Sequence, residues 1–342
     1  MEHATHREIT AQPRAIEAII QELQRHETQL QSILSPTSTF CLTGCGTSHY
    51  LPVSGNALLN DVASSTVLPA GEVLVSPSQL PTEGVDAILS VSRSGDTTET
   101  VHATAELQER YPNATSLALT CYEDSELADL TDIPIVSPEG AEESVVMTKS
   151  YSSLLVAFEY LARAIETSGI DDTEFASLPS QSEAVVAETE DLAQELGERT
   201  DLEKSVFLGT GEYFGLASEA MLKFEEMTLS WTKAYHPLEF RHGPQSIADE
   251  QTLVTVFLPD RRLDLHADLL ADITDFGATT LAIGPESAIE RVEATHTVEL
   301  PEREPPSMAL YAPAFQFLGY YRAVAAGLNP DEPQNLTQVV KI

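Results

Sequence analysis

The stretch Ser92-Arg93-Ser94-Gly95-Asp96-Thr97-Thr98-Glu99-Thr100 gathers hydroxyls around one glycine, directly after an apolar run that ends at Val91. Where a strand passes into a helix, the first helical amides have no intrahelical partner. Short hydroxyl donors beside those amides complete a cradle for a dianion without any lysine. Ordinary N-capping needs a single Ser or Thr, and this segment carries more, so a phosphate cradle is expected here. Thr47 and Ser48, behind the turn Gly44-Cys45-Gly46, add donors of the same kind. A second set is Glu219-x3-Lys223-x2-Glu226. Steps of four and three residues put all three side chains on one helical face. A solvated salt-bridge stripe has the same spacing, but Met221, Leu222 and Phe224 surround this one, so the helix is expected to be buried. Buried acid–base groups are suited to proton transfer.

The elements that must position these residues form two copies of one unit. Phe40-Cys-Leu-Thr-Gly44-Cys-Gly46 aligns with Val206-Phe-Leu in front of Gly209-Thr-Gly211 at an offset of 165 residues. Ala114–Leu119 aligns with Ala278–Ile283 at 164, and Asp86–Val91 with Thr252–Phe257 at 166. Each copy reads as four strands alternating with helices such as Thr98–Tyr111 and Ser150–Ile165. Its strands are short and apolar, as in sheets covered on both faces. The expected fold class is α/β, with two tandem doubly wound, flavodoxin-like parallel sheets. The expected division is 1–34 (a helical entry, amphipathic over Arg14–Leu34), 35–168, a linking helix within 169–200, 201–328, and a tail at 329–342. In the second copy the stretch matching the hydroxyl loop is Leu258-Pro-Asp-Arg-Arg262, which has none, so one copy alone is expected to hold phosphate.

Composition excludes several classes of function. The chain has 342 residues, 54 Asp+Glu against 18 Lys+Arg, and a formal charge of −36, leaving no basic stripe for nucleic acid or for an anionic membrane. Only five of the cations are lysines (Lys149, Lys204, Lys223, Lys233, Lys341). Such a surface suits a cytoplasm holding molar salt, where the Debye length is about 3 Å and self-repulsion is screened. At 42% hydrophobic residues, the chain still has enough apolar surface for large cores. Three cysteines fit a reducing compartment rather than a disulfide framework. Cys41, Cys45 and His49 straddle a strand and a turn, which scatters them, so no metal is expected. A dinucleotide fingerprint needs a third glycine where His49 stands, so no cofactor is expected. Met1–Gln12 is polar with no apolar signal core, and Ser307–Tyr321 is too short and too interrupted to span a bilayer. A cytoplasmic location is the expectation.

Taken in order, Cys45-Gly-Thr-Ser48, Ser92-Arg-Ser-Gly-Asp-Thr97, Val146-Met-Thr-Lys149, Glu219-x3-Lys223-x2-Glu226 and Arg241-His-Gly-Pro244 resemble the sugar isomerase (SIS) superfamily. Within it they resemble the isomerase half of glucosamine-fructose-6-phosphate aminotransferase and its stand-alone relatives. Arg7-Glu-Ile-x-x-Gln12-Pro13 is similar to the entry of that half, and Asn329-Pro-Asp-x-Pro333-x-Asn-Leu336 to its exit. The resemblance implies a phosphosugar pocket from Cys45, Gly46, Thr47, Ser48, Ser92, Arg93, Ser94 and Thr97. It implies contacts to the open-chain sugar from Val146, Thr148 and Lys149. It also implies that Glu226 moves a proton between C1 and C2, Lys223 steadies the enediolate, and Glu219 orients the lysine. His242 resembles the ring-opening histidine, delivered from the neighbouring subunit, which implies a homodimer.

Two departures shape the expected activity. The aminotransferase uses an N-terminal glutaminase domain with a leading cysteine, whereas this sequence starts Met1-Glu2-His3, which disfavours glutamine-driven synthesis. The family's tail lysine, which forms an imine with the ketose, falls at Gln338, with Lys341 three residues on. Deamination of glucosamine 6-phosphate to fructose 6-phosphate is the leading expectation, because water can release ammonia from a C2 imine without a lysine adduct. Plain aldose–ketose isomerisation is the second. A phosphosugar sensor is the third, disfavoured because no DNA-binding domain accompanies the catalytic set.

Overall fold

A computed structural model describes residues 3–82, 84–167, 169, 173–303 and 307–341. The part of the expected linking segment at 170–172 lies outside these residues, as do the end residues 1–2 and 342. The chain forms two compact units: Ala11–Ser180 with Leu336–Ile342, and Met1–Thr10 with Gln181–Asn335. The two ends of the sequence thus go with different sheets.

The first unit holds β1 (Thr39–Gly44), β2 (Ser64–Pro69), β3 (Ala87–Val91), β4 (Thr115–Thr120) and β5 (Ile133–Val136) in the order β2-β1-β3-β4-β5, all parallel. The second holds β6 (Lys204–Leu208), β7 (Thr232–Tyr235), β8 (Thr252–Phe257), β9 (Thr279–Pro285) and β10 (His296–Leu300), ordered β7-β6-β8-β9-β10 and again parallel. Both sheets are doubly wound, with the strand order reversing at β1/β3 and at β6/β8. Five strands per sheet replace the four expected. The additional ones, β2 and β7, are edge strands; no residue of β2 is fully buried and only Thr232 of β7 is. Half-covered edges lack the continuous apolar run that marks β3 and β8, where every residue is buried.

The repeat extends to backbone detail. A Cβ on Gly44 would lie 2.0 Å from the Ser48 carbonyl oxygen, and one on Gly209 would lie 2.0 Å from that of Tyr213. Gly46 and Gly211 follow at φ 55° and 57°. In each copy the strand therefore runs hard against the first turn of its helix, and only glycine leaves room. Gly44→Ala is expected to destabilise the first unit by about 1–3 kcal/mol or more through overpacking. Gly71→Ala, in the helix Ala70–Val75 with nothing within 4 Å of the added methyl, should cost nothing. Urea unfolding of the two variants checks the pair, and equal stability would remove the steric argument.

The entry helix expected over Arg14–Leu34 is two helices, Gln12–Arg25 and Glu27–Gln31, broken at His26 (φ −93°, ψ 2°). Ala15, Ile16, Ile19, Ile20 and Leu23 form its buried stripe, packed on the helix Lys149–Thr167. In the second unit Ser307–Tyr321 is a buried short turn and helix, as its apolar pattern implies. Among the described residues no helix is long and apolar enough to cross a membrane.

Candidate functional site

The first set of residues sits at the carboxyl ends of β1 and β3, the two neighbouring strands at which the sheet order reverses. Open α/β sheets place ligands at that point. β1 leads through Gly46 into the helix Thr47–Val62, and β3 through Ser92–Thr97 into the helix Thr98–Arg110. The hydroxyl loop is pinned from within. The Gly95 amide donates to the carbonyl of Ser92 and to its Oγ, each at 3.1 Å; Ser92 Oγ donates to Thr97 Oγ1 at 3.2 Å. The Asp96 amide donates to Ser94 Oγ at 3.2 Å. Neither helix is capped by its own N-cap side chain: Gly46 has none, and Thr97 makes no capping bond. These hydroxyls are therefore not spent on N-capping.

Burial pushes the Cys45 thiol up and the His49 imidazole down, so both are held toward their neutral forms. Thr47 and Ser48 are buried, and Ser48 Oγ lies 3.8 Å from Met147 Sδ.

Arg93, expected in the pocket, is 7% exposed and bound inward. Its guanidinium pairs with the Glu142 carboxylate at 3.1 Å and donates to the carbonyls of Val145 at 2.9 Å and Val146 at 3.2 Å. Glu142 also accepts from the Thr148 amide (2.6 Å), Thr148 Oγ1 (3.0 Å), the Ser150 amide (3.1 Å) and Ser150 Oγ (2.6 Å). Val146 and Thr148 are thus buried in this network, and Lys149 is half-buried at the start of its helix. Glu142 was not legible as a functional residue. One carboxylate among 54 acidic residues, in no recognisable spacing, carries no sequence signal.

The second set lies on the helix Tyr213–Thr228 of the other unit, on one face as its spacing implies. Glu219 and Lys223 are buried, and the Glu226 side chain is 19% exposed. Lys223 Nζ is paired with Glu226 and lies 3.7 Å from Glu219 Oε1. A cation between two carboxylates balances charge that burial would otherwise make costly. Glu226 alone of the three reaches a surface cleft of about 150 Å³, which Met227, Leu229, Leu328 and Glu332 also line. Glu226 is thus at the open front of this face, with Glu219 and Lys223 behind it. His242 is exposed in the turn after the helix Pro237–Phe240. Among the described residues it makes no side-chain hydrogen bond or ion pair. At the second sheet's own reversal point, Arg261 pairs with Glu212 at 3.0 Å, and Tyr311 donates to the Leu258 carbonyl at 2.9 Å beside buried Tyr213. That corner has no counterpart of the hydroxyl loop.

Residues 33–164 match the family model described as the SIS domain. The glutamine–fructose-6-phosphate aminotransferase of Sulfolobus acidocaldarius is 25% identical over 345 residues, covering 99% of this chain. The chain spans 57% of the length of that relative. A crystal structure of glucosamine-6-phosphate deaminase from Thermotoga maritima is 29% identical with a TM-score of 0.82, over 99% of this chain and 100% of the other. The fold is also that of tagatose-6-phosphate ketose/aldose isomerase from Escherichia coli, with TM-score 0.86 at 24% identity over 99% and 96% of the two chains.

Proposed function

We propose that this protein acts on 6-phosphosugars, shuttling a proton between C1 and C2, and that its specific reaction is deamination of glucosamine 6-phosphate. The observation that carries the reading is the buried Glu219–Lys223–Glu226 face with Glu226 alone at a cleft. Glu226 takes the C2 proton of the open-chain amino aldose and returns it to C1. The C1 oxygen takes the proton that the C2 nitrogen gives up, so the C1 aldehyde becomes a CH2OH group and C2 becomes an imine. Water adds to C2, ammonia leaves, and fructose 6-phosphate remains. Lys223, held between the two carboxylates, aims Glu226 and offsets the enediolate charge. The Ser92–Thr97 loop with Thr47 and Ser48 takes the phosphate. The Thermotoga maritima deaminase likeness, which runs over the whole of both chains, supports the amino sugar as substrate.

A second reading, plain aldose–ketose isomerisation, uses the same shuttle and differs only in the group on C2. A panel of 6-phosphosugars and their 2-amino derivatives, assayed in molar KCl as the acidic surface warrants, separates the two. Turnover confined to 2-hydroxy sugars would overturn deamination, and binding without turnover throughout would leave a sensor.

His242, exposed and without a side-chain partner among the described residues, is assigned to ring opening in a neighbouring subunit's site, with the homodimer as the working unit. His242→Ala and Glu226→Gln chains, each inactive alone, are then expected to recover activity when mixed. Size exclusion and activity together check this. Hybrids that form and stay inactive would take His242 out of the partner's site.

A further inference from the structure

Five consecutive main-chain carbonyls, from Glu142 to Val146, are met by two side chains from distant parts of the same unit. Gln338 Nε2 donates to the carbonyls of Glu142 (3.2 Å), Glu143 (3.0 Å) and Ser144 (3.0 Å). Arg93 takes those of Ser144 (3.5 Å), Val145 (2.9 Å) and Val146 (3.2 Å), and also that of Gln338 itself at 3.4 Å. The segment belongs to no helix or strand, so no ladder satisfies its carbonyls, and side chains must do so. Two tail residues further on, the Val340 carbonyl accepts from the Thr98 amide at 3.3 Å, at the start of the helix behind the hydroxyl loop. Leu336, Thr337, Gln338, Val340 and Lys341 are exposed, so apolar burial does not hold this tail down. Hydrogen bonds do.

We infer that Gln338 is a positioning residue: its amide latches the C-terminal tail onto Glu142–Val146 and thereby sets the Ser92–Thr97 loop and the Val146–Thr148 stretch for a sugar phosphate. The inference rests on the phosphate reading of that loop. An amide suits the task, because its N–H groups fit a cluster of carbonyls while its nitrogen does not condense with a ketone. Gln338 therefore holds the tail and forms no imine. Arg93 completes the same latch from the other side, its charge balanced by Glu142.

The test uses the full chain with Gln338→Glu and Gln338→Lys. A carboxylate of the same shape offers no N–H and faces three carbonyl oxygens, so the tail is released; an ammonium keeps donors for them. Hydrogen exchange over 336–341 and at the Thr98 amide is expected to quicken at least tenfold in Gln338→Glu and to stay near the parent rate in Gln338→Lys. The Kd for fructose 6-phosphate is expected to rise at least tenfold in Gln338→Glu, with kcat at saturation within about threefold, and to recover in Gln338→Lys. Unchanged exchange in Gln338→Glu overturns the latch, and a released tail with unchanged Kd overturns the positioning role. A parent protein that binds no sugar phosphate fails the loop reading instead, and the exchange rates still judge the latch.

Discussion

Glu226→Gln is expected to lower turnover by two to four orders of magnitude, the usual worth of a positioned general base, while fructose 6-phosphate still binds within about a factor of two. The amide keeps the shape of the carboxylate and can still accept from Lys223, which retains Glu219 as its ionic partner. It cannot take up a proton. The loss therefore falls on kcat and on kcat/KM alike, the pattern of an interaction made only in the transition state. Lys223→Met behaves differently: it leaves two carboxylates facing each other on a buried helix face and is expected to cost about 3–5 kcal/mol of stability as well. Steady-state kinetics with calorimetric binding on the Gln variant checks the assignment. A loss of less than tenfold would mean that another group moves the proton.

Ser94→Ala is expected to weaken a 6-phosphosugar by one to two orders of magnitude and leave the unphosphorylated sugar almost unaffected. Ser94 Oγ already accepts the Asp96 amide, so the hydroxyl hydrogen remains for a phosphate oxygen. A hydrogen bond to a charged acceptor contributes about 1.5–3 kcal/mol, and ~1.4 kcal/mol is a factor of ten. Because the donors are neutral, affinity should hold between low and molar KCl, where a lysine cradle would lose it through screening. Equal weakening of both ligands would show that the loop shapes the sugar pocket and that the phosphate lies elsewhere.

Much of this was legible in the sequence where a single periodicity fixes the outcome. Strands buried on both faces show as β-branched apolar runs, and the repeat offset located β6, β8 and β9 from β1, β3 and β4. Spacings of four and three placed Glu219, Lys223 and Glu226 on one face regardless of tertiary context. Features settled by partners far away in the chain were not legible. β2 and β7 are edge strands whose mixed exposure resembles loop composition. The break at His26 leaves no Pro or Gly behind it. Arg93 stands inside the hydroxyl-rich loop, and its charge reads as a ligand until Glu142, 49 residues on, turns it inward. Gln338 fits a motif position where the family has lysine, but donation to three main-chain carbonyls has no sequence signature.

The central claim is that Glu226 works on an amino sugar whose phosphate is held by neutral donors. The most direct measurement follows ammonia and fructose 6-phosphate released from glucosamine 6-phosphate in molar KCl, with the parent protein and Glu226→Gln side by side. Equimolar ammonia and ketose from the parent, and loss of both by at least a hundredfold in the variant, are the expected result. Tight binding of glucosamine 6-phosphate with no ammonia, or equal release by the two proteins, would contradict it.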